Sequence, residues 1–175
     1  ARIPYQLERG AIHVSSIARS VLLEGGVGYA LLSTFSDSAR QDLTRTVDSL
    51  VSAGAKSLIL DLRNNPGGLL NQGVAIADLF LDKGQEIVDV RTRGLKPEQW
   101  FVDSAAQRWP ALPLAIIING GTASAAEIVA GALQDHDRAA VLGRRSYGKG
   151  SAQNVFARDG GGGLKLTTAR WFTPS

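Results

Sequence analysis

Ser57 to Leu70 reads SLILDLRNNPGGLL. Its first six residues form a short, nearly continuous apolar run, the pattern of a strand buried on both faces of a parallel sheet. RNNPGG breaks the run: Pro66 fixes its own φ, while Gly67 and Gly68 let the backbone turn and offer its N–H groups at close range. Helical spacing resumes at Leu69 and continues to Leu81, short of Gly84.

The same alternation extends in both directions. Upstream, VGYALLSTF (residues 27–35) is β-rich and ends at SDS, where Ser36, Asp37 or Ser38 can cap a helix. Within Ala39 to Ser52, Leu43, Val47, Leu50 and Val51 recur at helical intervals on one face, and Gly54 supplies the stop. Downstream, EIVDVRT and QWFVD, joined by GLKPE, read as a hairpin outside the main alternation. SAAQRWP leads to a second buried strand, LAIII. NGGT turns the chain into a helix of mostly small residues, Ser124 to Gln134, suited to close approach to a neighbour. AAVLG, SAQNVF and GLKLTTARWF complete the strands, with DGGGG as a hairpin tip. Strands alternating with helices imply an α/β domain with a largely parallel sheet. IPYQLERGAI, near the start, is strand-like with no partner visible in the chain, and reads as the end of a preceding domain.

Composition excludes several functions. With 44% hydrophobic and 20% charged residues, a chain of 175 residues can bury one substantial core. Its longest apolar runs, SLILDL and LPLAIII, fall far short of the ~20 residues of a membrane-spanning helix. A chain that starts ARIPYQ and contains no methionine reads as part of a longer precursor, so a missing signal peptide says nothing of compartment. The absence of cysteine removes disulfides, thiolate nucleophiles and zinc–thiolate sites. His13 and His136 lack carboxylate partners at metal-ligand spacing, and neither metal nor other cofactor is expected. The net charge of +3 comes from Lys and Arg interleaved with Asp and Glu, with only Arg144 and Arg145 paired near a loop. That is ordinary solvated surface rather than a nucleic-acid interface. GRRSYGKGS (residues 143–151) comes close to a phosphate-binding loop, but Gly150 stands where the magnesium-holding hydroxyl is needed. A strand follows it in place of the helix that would receive the phosphates, which argues against a nucleotide site.

Three loops of unusual composition follow strands, at the end of the sheet where ligands gather in open α/β folds. They are DLRNNPGGLL, INGGTASAAE and GRRSYGKGS. Ser124, at a strand-to-helix turn, reads either as an N-cap or as a nucleophile with backbone N–H groups beside it. Its surroundings, G-T-A-S-A, are not the G-x-S-x-G elbow. A nucleophilic serine needs a base. His136 lies 12 residues further along the same helical segment, which is roughly 18 Å away and beyond reach. It reads as an exposed residue at the helix C-terminus. Nothing in the sequence places His13 near Ser124. Lys149 remains, either as a solvated loop lysine or as a base made neutral by burial, with Gly148 and Gly150 letting the chain fold the amine inward. Gln153 is placed to accept a hydrogen bond from that amine. Serine with a lysine base is an established variant of the triad.

At these residues the chain resembles the carboxyl-terminal processing peptidases, or tail-specific proteases. The matching segments are GVGYALLSTFSD, LILDLRNNPGGLL, NGGTASAAEIVAGALQDHDRAAVLG, SYGKGSAQ and LKLTTARWFTPS, in family order. The resemblance implies Ser124 as nucleophile, Lys149 as general base, Gln153 as the residue orienting the lysine, and the amides of Gly68 and Ala125 as oxyanion hole. It implies a crotonase-like or ClpP-like spiral of β-β-α units, a polypeptide substrate, no cofactor, and a periplasmic or other extracytoplasmic location. Residues 1–25 would be a junction, the trailing strand of a PDZ domain plus linker, and residues 26–175 the catalytic core. Ala126 stands where relatives usually carry a second serine. Two other readings remain: a catalytically silent ligand- or peptide-binding module of the same fold, and a crotonase-type enzyme acting on acyl thioesters. Oligomeric state is not readable.

Overall fold

The computed structural model describes residues 12–92 and 99–175, together with residues 3, 5, 8 and 10. Half of IPYQLERGAI (residues 4, 6, 7, 9 and 11) and all of the GLKPE turn thus lie outside the described residues.

Among the described residues, two sheets and three α-helices share one core. The first sheet has the order β1-β2-β3-β6-β7, with β1 Ile17–Leu23, β2 Val27–Leu32, β3 Ser57–Asp61, β6 Leu114–Ile118 and β7 Ala140–Gly143. β1 runs antiparallel to β2, and β2, β3, β6 and β7 are parallel to one another. The second sheet, in the order β5-β4-β9-β8, is antiparallel and contains β4 Glu86–Thr92, β5 Gln99–Val102, β8 Ser151–Ala157 and β9 Gly163–Phe172. The architecture is mixed α/β with a largely parallel first sheet, as the alternation predicts. β1 has no counterpart in the sequence reading, because its alternation is weak and it lies at the sheet edge.

Three helices connect the strands: α1 Ala39–Ser52, α2 Leu70–Ala77 and α3 Ala125–Asp135. α1 covers β1 and β2, whereas α2 and α3 pack on each other and reach β4. Leu58, Leu60 and Ile116 of the first sheet therefore share a core with Ile87, Val88 and Trp171 of the second. The small residues of α3 have the expected use: a Cβ added at Gly73 of α2 would lie 3.2 Å from the Ala125 Cβ.

Two local expectations are corrected. Helical spacing runs to Leu81, yet α2 ends at Ala77. Leu79, Phe80 and Leu81 are all buried, and three consecutive residues cannot share one helical face. The carbonyls of Leu79 and Phe80 instead accept the Arg108 N–H and the Arg138 Nε–H. At the start of α1, Ser38 occupies the N-cap, but its hydroxyl donates to Asp42 Oδ2 at 2.9 Å rather than accepting from the helix. The buried Asp42 carboxylate also accepts the Ser16 N–H and the Arg45 guanidinium.

Candidate active site

The parallel strands end level with one another: Asp61 is in register with Ile117, and Ile118 with Gly143. The three loops singled out above leave from this edge. Asp61, fully buried at the end of β3, accepts Tyr29 Oη at 2.7 Å and holds the Arg63 guanidinium through both carboxylate oxygens. Burial alone would raise the Asp61 pKa, but the Arg63 and Tyr29 bonds outweigh it and hold the carboxyl below its ordinary range.

Asn65, also fully buried, shapes the glycine turn after β3. Its side chain donates to the Leu32 carbonyl and accepts the Gly67 N–H at 2.9 Å, and its own carbonyl accepts the Ala123 N–H. The turn is thereby pressed onto the residues before α3. A Cβ added at Gly67 (φ 93°) would lie 2.8 Å from Ser124 Cβ and 2.9 Å from Ala125 N. Gly68 (φ 152°) is packed equally hard against the Phe35 carbonyl. The N–H groups of Gly68 and Ala125 have no acceptor among the described residues.

Ser124 is the N-cap of α3, half-buried, with φ 57° and ψ −121°. Few non-glycine residues hold this backbone, and it costs on the order of 1–3 kcal/mol. The Ser124 N–H donates to Glu127 Oε2 at 2.7 Å. Glu127 does more than close the first turn of α3. Its Oε2 also accepts the Lys149 N–H at 2.9 Å, and its Oε1 accepts Ser146 Oγ at 2.7 Å and the Gly148 N–H at 2.6 Å. One buried carboxylate thus ties the turn carrying Ser124 to the loop carrying Lys149.

Lys149 is half-buried in an open groove of about 580 Å³ lined also by Tyr147, Arg170, Trp171 and Phe172. Its Nζ makes no hydrogen bond or ion pair among the described residues, and none joins it to Ser124 Oγ. The two residues are linked here through backbone and Glu127. Gln153 is exposed on β8, where Nε2 donates to Thr167 Oγ1 at 3.3 Å and the amide oxygen has no donor among the described residues. His13 bonds to Asp42. His136 is not the exposed residue expected: it is half-buried, and its Nε2 bonds to the Glu86 carbonyl at 2.7 Å. Neither histidine contacts Ser124.

Asn65 and Glu127 escape a search for titratable residues with catalytic spacing. Glu127 was nonetheless discoverable, because Ser124-Ala125-Ala126-Glu127 is a capping-box pattern. Asn65 carries no local signal.

The sequence model of peptidase family S41 matches residues 26–175. The chain is 41% identical over 174 residues to a carboxy-terminal-processing protease of Bartonella bacilliformis, covering 97% of this chain and 39% of that protein. It is 36% identical over 171 residues to the carboxy-terminal processing protease CtpA of Bacillus subtilis, covering 98% and 36% respectively. Among solved structures, a photosystem II D1 C-terminal processing protease superposes with a TM-score of 0.72 at 34% identity, over 91% of this chain and 42% of that one. The chain thus spans well under half the length of these relatives.

Proposed function

The chain belongs to peptidase family S41, and we propose that it is the catalytic core of a serine endopeptidase in which Ser124 is the nucleophile and Lys149 the general base. Ser124 Oγ attacks a peptide carbonyl and passes its proton to the neutral Lys149 amine. The new oxyanion is held by the N–H groups of Gly68 and Ala125, each such donor contributing about 3 kcal/mol to the transition state. The C–N bond then breaks, the lysine returns the proton to the leaving amine, and water hydrolyses the ester on Ser124. Gln153 orients the amine through its amide oxygen. No step uses a metal or a nucleotide.

The observation that carries this reading is the shared bond to Glu127 Oε2, which draws Ser124 and Lys149 together from loops 25 residues apart. The amide of Ala125, next to Ser124, and that of Gly68, in the turn pressed onto residues 123–125, both lack an acceptor among the described residues and support it independently. Unfolded or C-terminally exposed polypeptides are the substrates this reading entails, bound in extended form, and the working compartment is extracytoplasmic.

Degradation of an unfolded protein by the unaltered chain and by Ser124→Ala and Lys149→Ala variants is the decisive comparison. Both variants should lose cleavage, and equal cleavage by all three chains would rule out the dyad.

A further inference from the structure

Beside the loop that leads to Ser124 lies a second groove, of about 520 Å³, at the carboxyl ends of β3, β6 and β7. Arg63, Ile118, Asn119, Gly121, Gly143 and Arg144 line it, and no acidic residue does. The loop bearing Arg144 is fastened alongside: the Arg144 N–H donates to the Ile118 carbonyl and the Tyr147 N–H to the Thr122 carbonyl. The two guanidinium groups at the groove differ. Arg63 is already committed to Asp61. The Arg144 side chain is exposed and its guanidinium has no hydrogen-bond or ion-pair partner among the described residues. Arg145 beside it is likewise exposed and unpaired among those residues.

We propose that this groove is a carboxylate-binding subsite, in which Arg144 pairs with an acidic group of the polypeptide held at Ser124. This rests on the peptidase reading above. Gly121, on the groove wall, precedes Ser124 by three residues, which an extended chain covers in at most about 10 Å. An extended substrate advances roughly 3.3 Å per residue, so a substrate group at the Gly121 wall of the groove lies within about three residues of the cleaved bond, and Arg144 faces groups at or beyond that point. A planar guanidinium with free donors matches a carboxylate in two-point geometry, and the apolar floor at Ile118 accommodates the methylenes of a glutamate or aspartate. The carboxylate comes either from such a side chain or from the substrate's own C-terminus.

The test uses an unstructured alanine-rich peptide, fluorescently labelled, with glutamate or glutamine at one position, each made as C-terminal acid and as amide. Binding is measured by anisotropy to the Ser124→Ala chain and to the same chain with Arg144→Gln added, so the result does not depend on hydrolysis. The glutamate peptide should bind about three- to tenfold more tightly than the glutamine peptide, as for a partly exposed charge-assisted pair. That preference should vanish with Arg144→Gln and weaken with salt. A preference for acid over amide that depends on Arg144 supports the subsite with the chain terminus as its ligand. Equal binding of all four peptides, no measurable binding, or a preference that survives Arg144→Gln overturns the proposal. Cleavage of glutamate and glutamine peptides at the same kcat/KM would remove the subsite and leave the peptidase reading standing. Arg144-dependent binding without Ser124-dependent cleavage would do the reverse.

Discussion

Ser124 holds a backbone that glycine would hold without strain, and that strain makes a testable link between function and stability. With φ 57° and ψ −121°, Ser124→Gly should raise thermal stability by about 1 kcal/mol, or about 2–4 °C for a chain of this size, while abolishing cleavage. Ser124→Ala should abolish cleavage without that gain, because alanine keeps the Cβ; thermal melts of the two variants distinguish the cases. Glu127 is the residue on which the two halves of the site depend. Its oxygens accept four donors, three of them backbone N–H groups, so Glu127→Gln sets an amide nitrogen against at least one N–H. The expected result is a stability loss of about 1–3 kcal/mol and a kcat lower by on the order of a hundredfold with KM little changed, since the residue positions Ser124 and Lys149 without touching substrate. Steady-state kinetics with a short peptide read that split; a rise in KM alone would contradict the positioning role.

At the scale of the element, the turn after β3 is the piece that must not move. Gly67→Ala would place a methyl against three atoms of residues 123–125, two of them backbone, at a φ of 93° that alanine resists. We expect a loss of about 2–4 kcal/mol of stability and loss of cleavage; chemical denaturation and the protein-degradation assay measure the two effects. The helix and strand boundaries show why some elements were legible. α1 spans Ala39–Ser52 in the sequence pattern and in the structure because Leu43, Val47 and Leu50 share one buried face and Gly54 follows its end, although Val51, expected on that face, is exposed. α2 was overextended because Leu79, Phe80 and Leu81 are buried by different neighbours, not by one helical face. The antiparallel hairpin of β8 and β9 was readable from DGGGG, where Gly160, Gly161 and Gly162 all take positive φ.

Over the whole molecule, buried carboxylates of opposite character set the response to pH. Asp42 is held below the ordinary carboxylate range: desolvation opposes this, but the Ser16, Ser38 and Arg45 bonds win. Asp42 and Asp61 therefore stabilise the fold above about pH 4, the range of unfolded carboxyls, and that contribution is lost as pH falls further. Asp103 is the reverse. It is buried with Oδ2 lacking a partner among the described residues, and burial together with the Asp78 and Asp82 carboxylates pushes its pKa up to about 6. Its contribution is present below about pH 4 and is lost as pH rises through about 6. Asp103→Asn should therefore stabilise the protein at pH 7 by about 1–2 kcal/mol, with the gain disappearing toward pH 4. Denaturant titrations at both pH values check this, and an equal effect at the two would show that Asp103 does not titrate in that window.

The order of strands and helices from β2 onward and the largely parallel first sheet were determined by the sequence alone, because apolar periodicity and glycine placement are local properties of the chain. The sequence also offered Ser124 and Lys149 as candidates, a serine at a strand-to-helix turn and a lysine between glycines. Only the tertiary structure decided how these loops meet. The carboxylate of Glu127 and the buried amide of Asn65 acquire their partners from as much as 33 residues away in sequence, and no local pattern encodes a contact between groups that only folding brings within hydrogen-bond distance.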